Sequence, residues 1–150
     1  MSAKILIIDD EPDMLIMLEM IITDKTAYQV VTTTNPLELP ELLAQENFNL
    51  VITDLKMPAK DGIEVIETVK SHNPDIPVVV ITAFGTLESA EEAVRRGAYD
   101  FITKPFRKEQ ILVAIARALE WQRITQENRE LRNRMEAEKT AAKTSGPPGD

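Results

Sequence analysis

The stretch Leu50-Val51-Ile52-Thr53-Asp54-Leu55-Lys56-Met57-Pro58 decides how this chain is read. Leu50 to Thr53 is apolar or β-branched throughout, the pattern of a short strand buried on both faces. Lys56-Met57-Pro58 and then Lys60-Asp61-Gly62 supply the turn signals that stop it and lead into a helix. Between strand and turn stands Asp54. A carboxylate at the end of an apolar strand is costly to bury unless a cation meets it. The rest of the chain has to supply that partner.

Working outward from this strand, the chain alternates. Towards the N-terminus, Lys4 to Ile8 is a second continuous apolar strand, ending in Asp9-Asp10-Glu11. Pro12 suits the first turn of a helix, and Met14, Leu15, Leu18, Ile21 and Ile22 set its apolar face over residues 11–24. Tyr28 to Thr33 is β-rich but more polar, which predicts an outer strand. Asn35-Pro36 opens the second helix, with Pro40 delaying its regular part to about Leu39; Leu39, Leu42 and Leu43 form its buried side.

Towards the C-terminus, Ile63, Val65, Ile66 and Val69 mark a third helix that Asn73-Pro74 breaks. Ile76 to Ile81 is the most hydrophobic strand and ends at Thr82-Ala83. A fourth helix, about Leu87 to Arg96, stops at Gly97, a good left-handed cap. Tyr99 to Thr103 is the fifth strand and leads into Lys104-Pro105-Phe106. Five strands alternating with helices, several apolar along their whole length, imply a parallel sheet covered on both faces. The expected fold is a doubly wound α/β domain.

Composition narrows the function classes. The 150-residue chain is 43% hydrophobic, enough for one domain with a core and something extra. It has no cysteine, which excludes disulfide or thiolate chemistry and fits a reducing, cytoplasmic setting. No apolar run approaches the roughly 20 residues of a membrane span. The net charge of −8 is uneven: residues 1–106 carry 18 acidic against 8 basic side chains. Direct nucleic-acid binding by this segment is not expected.

Ligands of open α/β sheets bind at the carboxyl ends of the strands. Those ends carry Asp9, Asp10, Asp54, Thr82 and Lys104. Clustered carboxylates repel one another unless a cation joins them, and hard oxygen ligands favour Mg²⁺. A hydroxyl and an ammonium beside that ion suit a phosphoryl group.

These same blocks carry a family resemblance. Ile5 to Glu11, Val51 to Pro58, Gly62, Ile81-Thr82-Ala83 and Lys104-Pro105-Phe106, in this order, resemble the receiver domain of bacterial two-component response regulators. The likeness covers about residues 3–119. It implies a flavodoxin-like sheet of order 2-1-3-4-5 and phosphorylation of Asp54 by a sensor histidine kinase. By position, Asp9, Asp10, Asp54 and the backbone carbonyl of Lys56 would hold Mg²⁺, Asp9 largely through water. Thr82 and Lys104 would contact the phosphoryl oxygens, Phe101 would be the aromatic switch, and the Lys104–Pro105 bond would be cis. Phe101 carries no hydroxyl, so its two states can differ only in packing. Lys56 and Phe84, two positions beyond Asp54 and Thr82, offer no carboxylate or amide to orient an attacking water. That implies slow self-dephosphorylation.

From Glu109 to about Lys139 the chain has no Gly or Pro and is rich in helix formers. Ile111, Leu112, Ile115 and Leu119 can face the sheet. Trp121, Ile124, Asn128, Leu131 and Met135 follow at spacings of 3, 4, 3 and 4, a heptad seam with Asn128 at a core position. The expected organisation is a receiver over 1–119, a helical coiled-coil linker over 120–143 that makes a homodimer, and a disordered tail over 144–150. Thr82-Ala83-Phe84-Gly85 and Glu127 to Arg132 resemble the receivers of sigma-54-dependent, NtrC-like transcription activators, whose output domain is absent from these residues.

Two other readings are open. One is a free-standing single-domain regulator. The other is a Mg²⁺-dependent aspartyl-phosphate phosphatase, against which stand the adjacent Asp9-Asp10 pair and the lack of a cap domain. A nucleotide-binding module would need a glycine-rich loop where Asp10-Glu11-Pro12-Asp13 stands. The single histidine, His72, is expected in a loop. Arg95 and Arg96 are expected on a solvated helix end.

Overall fold

The computed structural model describes residues 3–83 and 85–144, with side chains to residue 140. The elements are β1 (Lys4–Ile8), α1 (Pro12–Lys25), β2 (Gln29–Thr33), a 3₁₀ turn (Pro36–Glu38), α2 (Leu39–Gln45), β3 (Leu50–Thr53), α3 (Gly62–His72), β4 (Val78–Thr82), α4 (Leu87–Arg95), β5 (Asp100–Thr103) and α5 (Lys108–Thr144). All neighbouring strands pair in parallel, in the order β2-β1-β3-β4-β5. The expected sheet order is borne out, and the more polar β2 is an outer strand.

The strand residues divide by parity, because successive side chains point to opposite faces. Leu6, Ile8, Val51, Val78 and Val80 pack with Leu39, Leu43, Val65, Ile66, Val69 and Ala93, so α2, α3 and α4 cover one face. Ile5, Ile7, Leu50, Ile52, Val79 and Ile81 pack with Leu15, Leu18, Ile22, Ile111, Ala114 and Ile115, so α1 and α5 cover the other. Two-sided burial explains why the central strands are apolar without alternation.

Local chemistry sets the helix ends. Pro12 occupies the first turn of α1, Asn35 caps the 3₁₀ turn, and Asp61 caps α3 by accepting the Glu64 N–H at 2.9 Å. Thr86 caps α4 by accepting the Ser89 N–H. Gly97 ends the α4 turn at φ 111°, the left-handed backbone that glycine adopts without cost. His72 is the last residue of α3 and exposed, not a loop residue. The Asn73 N–H still donates to the Val69 carbonyl, so the helix runs up to the residue before Asn73-Pro74. Arg96 lies exposed within 3.4 Å of Glu67 and 3.8 Å of Glu92.

Gly62 matters most to the strand ends. Its N–H donates to the Leu55 carbonyl at 2.8 Å, which draws the start of α3 against the β3 loop. A Cβ there would run into the Asp54 carbonyl oxygen and lie 2.8 Å from the Leu55 Cα, both backbone atoms. Gly62→Ala is therefore expected to lower unfolding stability by about 1–3 kcal/mol in urea titrations. A variant as stable as the parent would mean the loop shifts freely.

Candidate phosphoacceptor site

Three parallel strands deliver the charged groups to one edge of the sheet. β1 ends at Ile8 and releases Asp9 and Asp10; β3 ends at Thr53 and releases Asp54; β5 ends at Thr103 and releases Lys104. Register does the rest. Ile8 pairs with Thr53 and Thr82 with Thr103, while Thr53 pairs with Val80, so β1 and β3 end together and β4 and β5 run two residues farther.

The Lys104 ammonium sits between two buried carboxylates, 3.0 Å from Asp54 Oδ2 and 3.3 Å from Asp9 Oδ2. The other carboxylate oxygens are taken by backbone. Asp54 Oδ1 accepts the N–H groups of Leu55 and Lys56, at 2.6 Å and 3.3 Å, and Asp9 Oδ1 accepts the Glu11 N–H at 2.9 Å. Burial pushes the Asp9 carboxyl above its ordinary range, against the pull of the Glu11 N–H and Lys104. For Lys104, burial pulls down, but the hydrogen bond to Asp54 and the charges of Asp9 and Asp54 outweigh it, and the net shift is upward.

The remaining expected residues fall around this pair. Asp10 is exposed, with a carboxylate oxygen that joins those of Asp9 and Asp54 in a set lying within 4.8 Å of one another. Thr82 is fully buried at the end of β4, and its carbonyl accepts the Lys104 N–H at 2.8 Å. Phe101 is half-buried against the α2–α4 core, and the Lys104–Pro105 bond is cis, as the resemblance implied. Phe84 lies outside the described residues. An open cleft of about 460 Å³, lined by Asp10, Glu11, Asp54, Lys56, Met57, Pro58, Ala83 and Lys104, gives solvent access to Asp54.

The donor set fits a small hard divalent ion. Three carboxylates come together with no histidine or cysteine among them, and open cleft lies on one side for retained waters. Asp9, Asp10 and Asp54 are the residues that could hold Mg²⁺.

Residues 5–116 match the family described as the response regulator receiver domain. The chain belongs to this family. It is 37% identical over 134 residues to the nitrogen assimilation regulatory protein NtrX of Azorhizobium caulinodans, covering 88% of this chain and 29% of the relative. It is 38% identical over 116 residues to the response regulator protein PilR of Pseudomonas aeruginosa, covering 77% of this chain and 26% of PilR. The receiver thus spans less than a third of the curated relatives it matches. Among solved structures, NtrX from Brucella abortus with ADP superposes at TM-score 0.81 and 32% identity, over 87% of this chain and 30% of that one. The beryllofluoride-activated NtrC4 receiver dimer superposes at 0.75 and 32%, over 79% of this chain and 98% of that one. The resemblance to NtrC-like receivers is borne out.

The expected seam divides. Trp121 is half-buried inside its own chain, its ring centroid 5.8 Å from that of Tyr99 and the Lys70 ammonium 5.3 Å from its ring. Ile124, Asn128, Leu131 and Met135 are exposed. Among the described residues, no helix is long and apolar enough to cross a membrane.

Two carboxylates this close need the cation between them. Without divalent ions, Lys104→Ala is expected to lower stability at neutral pH by about 3–5 kcal/mol, because it strands buried charge. Lys60→Ala, at the turn, is the control for losing one positive charge. Equal midpoints in urea would show that Asp9 and Asp54 do not depend on Lys104.

Proposed function

We propose that this receiver is the phosphoacceptor switch of a two-component, sigma-54-dependent transcription activator, acting in the cytoplasm on phosphorylation by a sensor histidine kinase. The observation that carries the reading is the Lys104 ammonium seated between Asp9 and Asp54 at the mouth of an open acidic cleft. A carboxylate oxygen of Asp54 attacks the phosphorus of a phosphohistidine. The P–N bond breaks, and the kinase imidazole leaves with the electron pair. Phosphoryl transfer needs positioning and charge neutralisation more than acid–base chemistry, and the residues here supply those.

Asp9, Asp10, Asp54 and the Lys56 backbone carbonyl would hold Mg²⁺, which when bound neutralises charge on the transferring group. Two backbone N–H groups orient Asp54 before any phosphoryl group arrives. Lys104, already 3.0 Å from Asp54, then pairs with the new phosphoryl oxygens, whose charge is roughly −1.5 to −2. Thr82 ends the adjacent strand, and its hydroxyl is the donor for a phosphoryl oxygen. Closing Thr82 and Lys104 on that group draws the ends of β4 and β5 together, and Phe101 repacks beside them. The chain catalyses only its own modification and release.

The expected test is incubation with a small phosphodonor and Mg²⁺, read by intact mass. The parent gains one phosphoryl group of acyl-phosphate lability and Asp54→Asn gains none; equal labelling would overturn the assignment. Output runs through a homodimer of α5 helices along Ile124, Asn128, Leu131 and Met135, with Trp121 at its receiver end. The β5 shift reaches this seam because α5 follows β5 directly. Ile124→Asp with Leu131→Asp is expected to yield a monomer by light scattering. A parent that is monomeric with and without phosphodonor would remove the seam from the mechanism.

A further inference from the structure

At the opposite end of the sheet from Asp54, α5 runs past the amino ends of three strands and is held there by side chains. Asn49, Asp75 and Tyr99 precede β3, β4 and β5. Asn49 Nδ2 donates to Gln122 Oε1 at 3.3 Å, and Gln122, itself buried, donates onward to Gln126 at 3.0 Å. Tyr99 packs on Trp121. Farthest along, Arg129 Nε and Nη2 donate to Asp75 Oδ2 and Oδ1, each at 2.7 Å.

This last contact differs from an ordinary surface ion pair. The Asp75 side chain is only 7% exposed while Arg129 is 54% exposed. The carboxylate belongs to the loop before β4, and with α5 seated the guanidinium covers it in a two-pronged fork. That loop is rigid in its own right. The Asp75 N–H donates to Asn73 Oδ1, and Lys70 Nζ ties the carbonyls of Pro74 and Ile76 at 3.2 Å and 2.9 Å. The same ammonium lies over the Trp121 ring, so one lysine braces both loop and helix.

Helical geometry separates this contact from the dimer seam. At about 100° per residue, Gln122, Gln126 and Arg129 form one stripe. Ile124, Asn128, Leu131 and Met135 form another, roughly 160° around the helix. The polar stripe grips the chain's own receiver, and the exposed apolar stripe points away from it.

We propose that Asp75 and Arg129, with Asn49 and Gln122, form a clasp that fixes the direction α5 takes as it leaves the receiver, so that the receiver sets where the apolar stripe is presented. The first turns after the family domain's end at residue 116 are then part of the receiver's rigid body and not a free linker. The clasp rests on these side-chain contacts and the helix geometry, and does not require that Asp54 be phosphorylated. Nor does it require that the apolar stripe be occupied, since the two stripes are separate.

The chain lacks cysteine, which permits site-directed spin labelling of the full 150 residues. Labels at Ala44→Cys and Glu136→Cys, both exposed positions on α2 and α5, report the helix direction relative to the body. Labelled protein diluted into excess unlabelled protein confines the pulsed dipolar signal to distances within one chain. The parent is expected to show a single narrow distance, kept by Arg132→Ala, which removes the same charge from an exposed position without a clasp contact. Arg129→Ala and Asp75→Asn are expected to lose the narrow distance. Arg129 is exposed, so its variant folds even if Asp75→Asn does not; far-UV circular dichroism checks both. A broad distribution in the parent, or a narrow one retained by Arg129→Ala, would overturn the clasp.

Discussion

Lys104 stands between Asp9 and Asp54, and much of the rest of the molecule is what that placement requires. Two carboxylates, 2% and 5% exposed as residues, share one ammonium and the backbone donors of their own loops. Such a cluster is stable only if its geometry is held, because desolvating two like charges is costly when the pairing is poor. Three strands from distant parts of the chain must therefore end at one side of the molecule in a fixed register, which the parallel sheet provides. Gly62 closes α3 onto the β3 loop, where the Leu55 and Lys56 N–H groups meet Asp54. A new anion on Asp54 would compete directly for the cation that now pairs with both carboxylates.

The two ends of the sheet divide the labour. The carboxyl ends carry the acidic cleft, while the amino ends carry amides, an aromatic pair and a buried aspartate that grip α5. α5 joins the two because it starts just after Lys104-Pro105 and passes the amino ends on its way out. Under the proposed switch, closing Thr82 and Lys104 on a phosphoryl group would move β5, and Tyr99 at the base of β5 touches Trp121. The path is short and made of a rigid strand and a rigid helix, so it needs no flexible relay.

Most of the fold was legible because parallel-sheet strands and amphipathic helices leave strong periodic signals. Val51 to Thr53 and Ile5 to Ile8 could be little else, and Asp9, Asp10, Asp54, Thr82 and Lys104 followed from where strands end. His72 was misplaced because Asn73-Pro74 marks a helix stop only to within a residue. Trp121 stands at a seam position by its spacing, and its ring is engaged by Tyr99 and Lys70 within the chain. Heptad spacing reports which residues share a helix face, not whether the neighbour on that face is another helix or the chain's own body.

By itself, then, the amino-acid sequence determined the element order, the sheet's two-sided burial and the set of groups gathered at the strand ends, since each is written in local periodicity or in the residue that follows a strand. It could not show that Asp9 rather than Asp10 shares Lys104 with Asp54, because the two are adjacent and chemically alike. The direction each side chain takes as the strand ends decided that. Nor could it show the clasp. Asp75 and Arg129 are 54 residues apart, in a helix-breaking loop and on a charged helix face, and neither context marks the other. Only the packing of α5 across the sheet brings that carboxylate within reach of a guanidinium that solvent would otherwise hold.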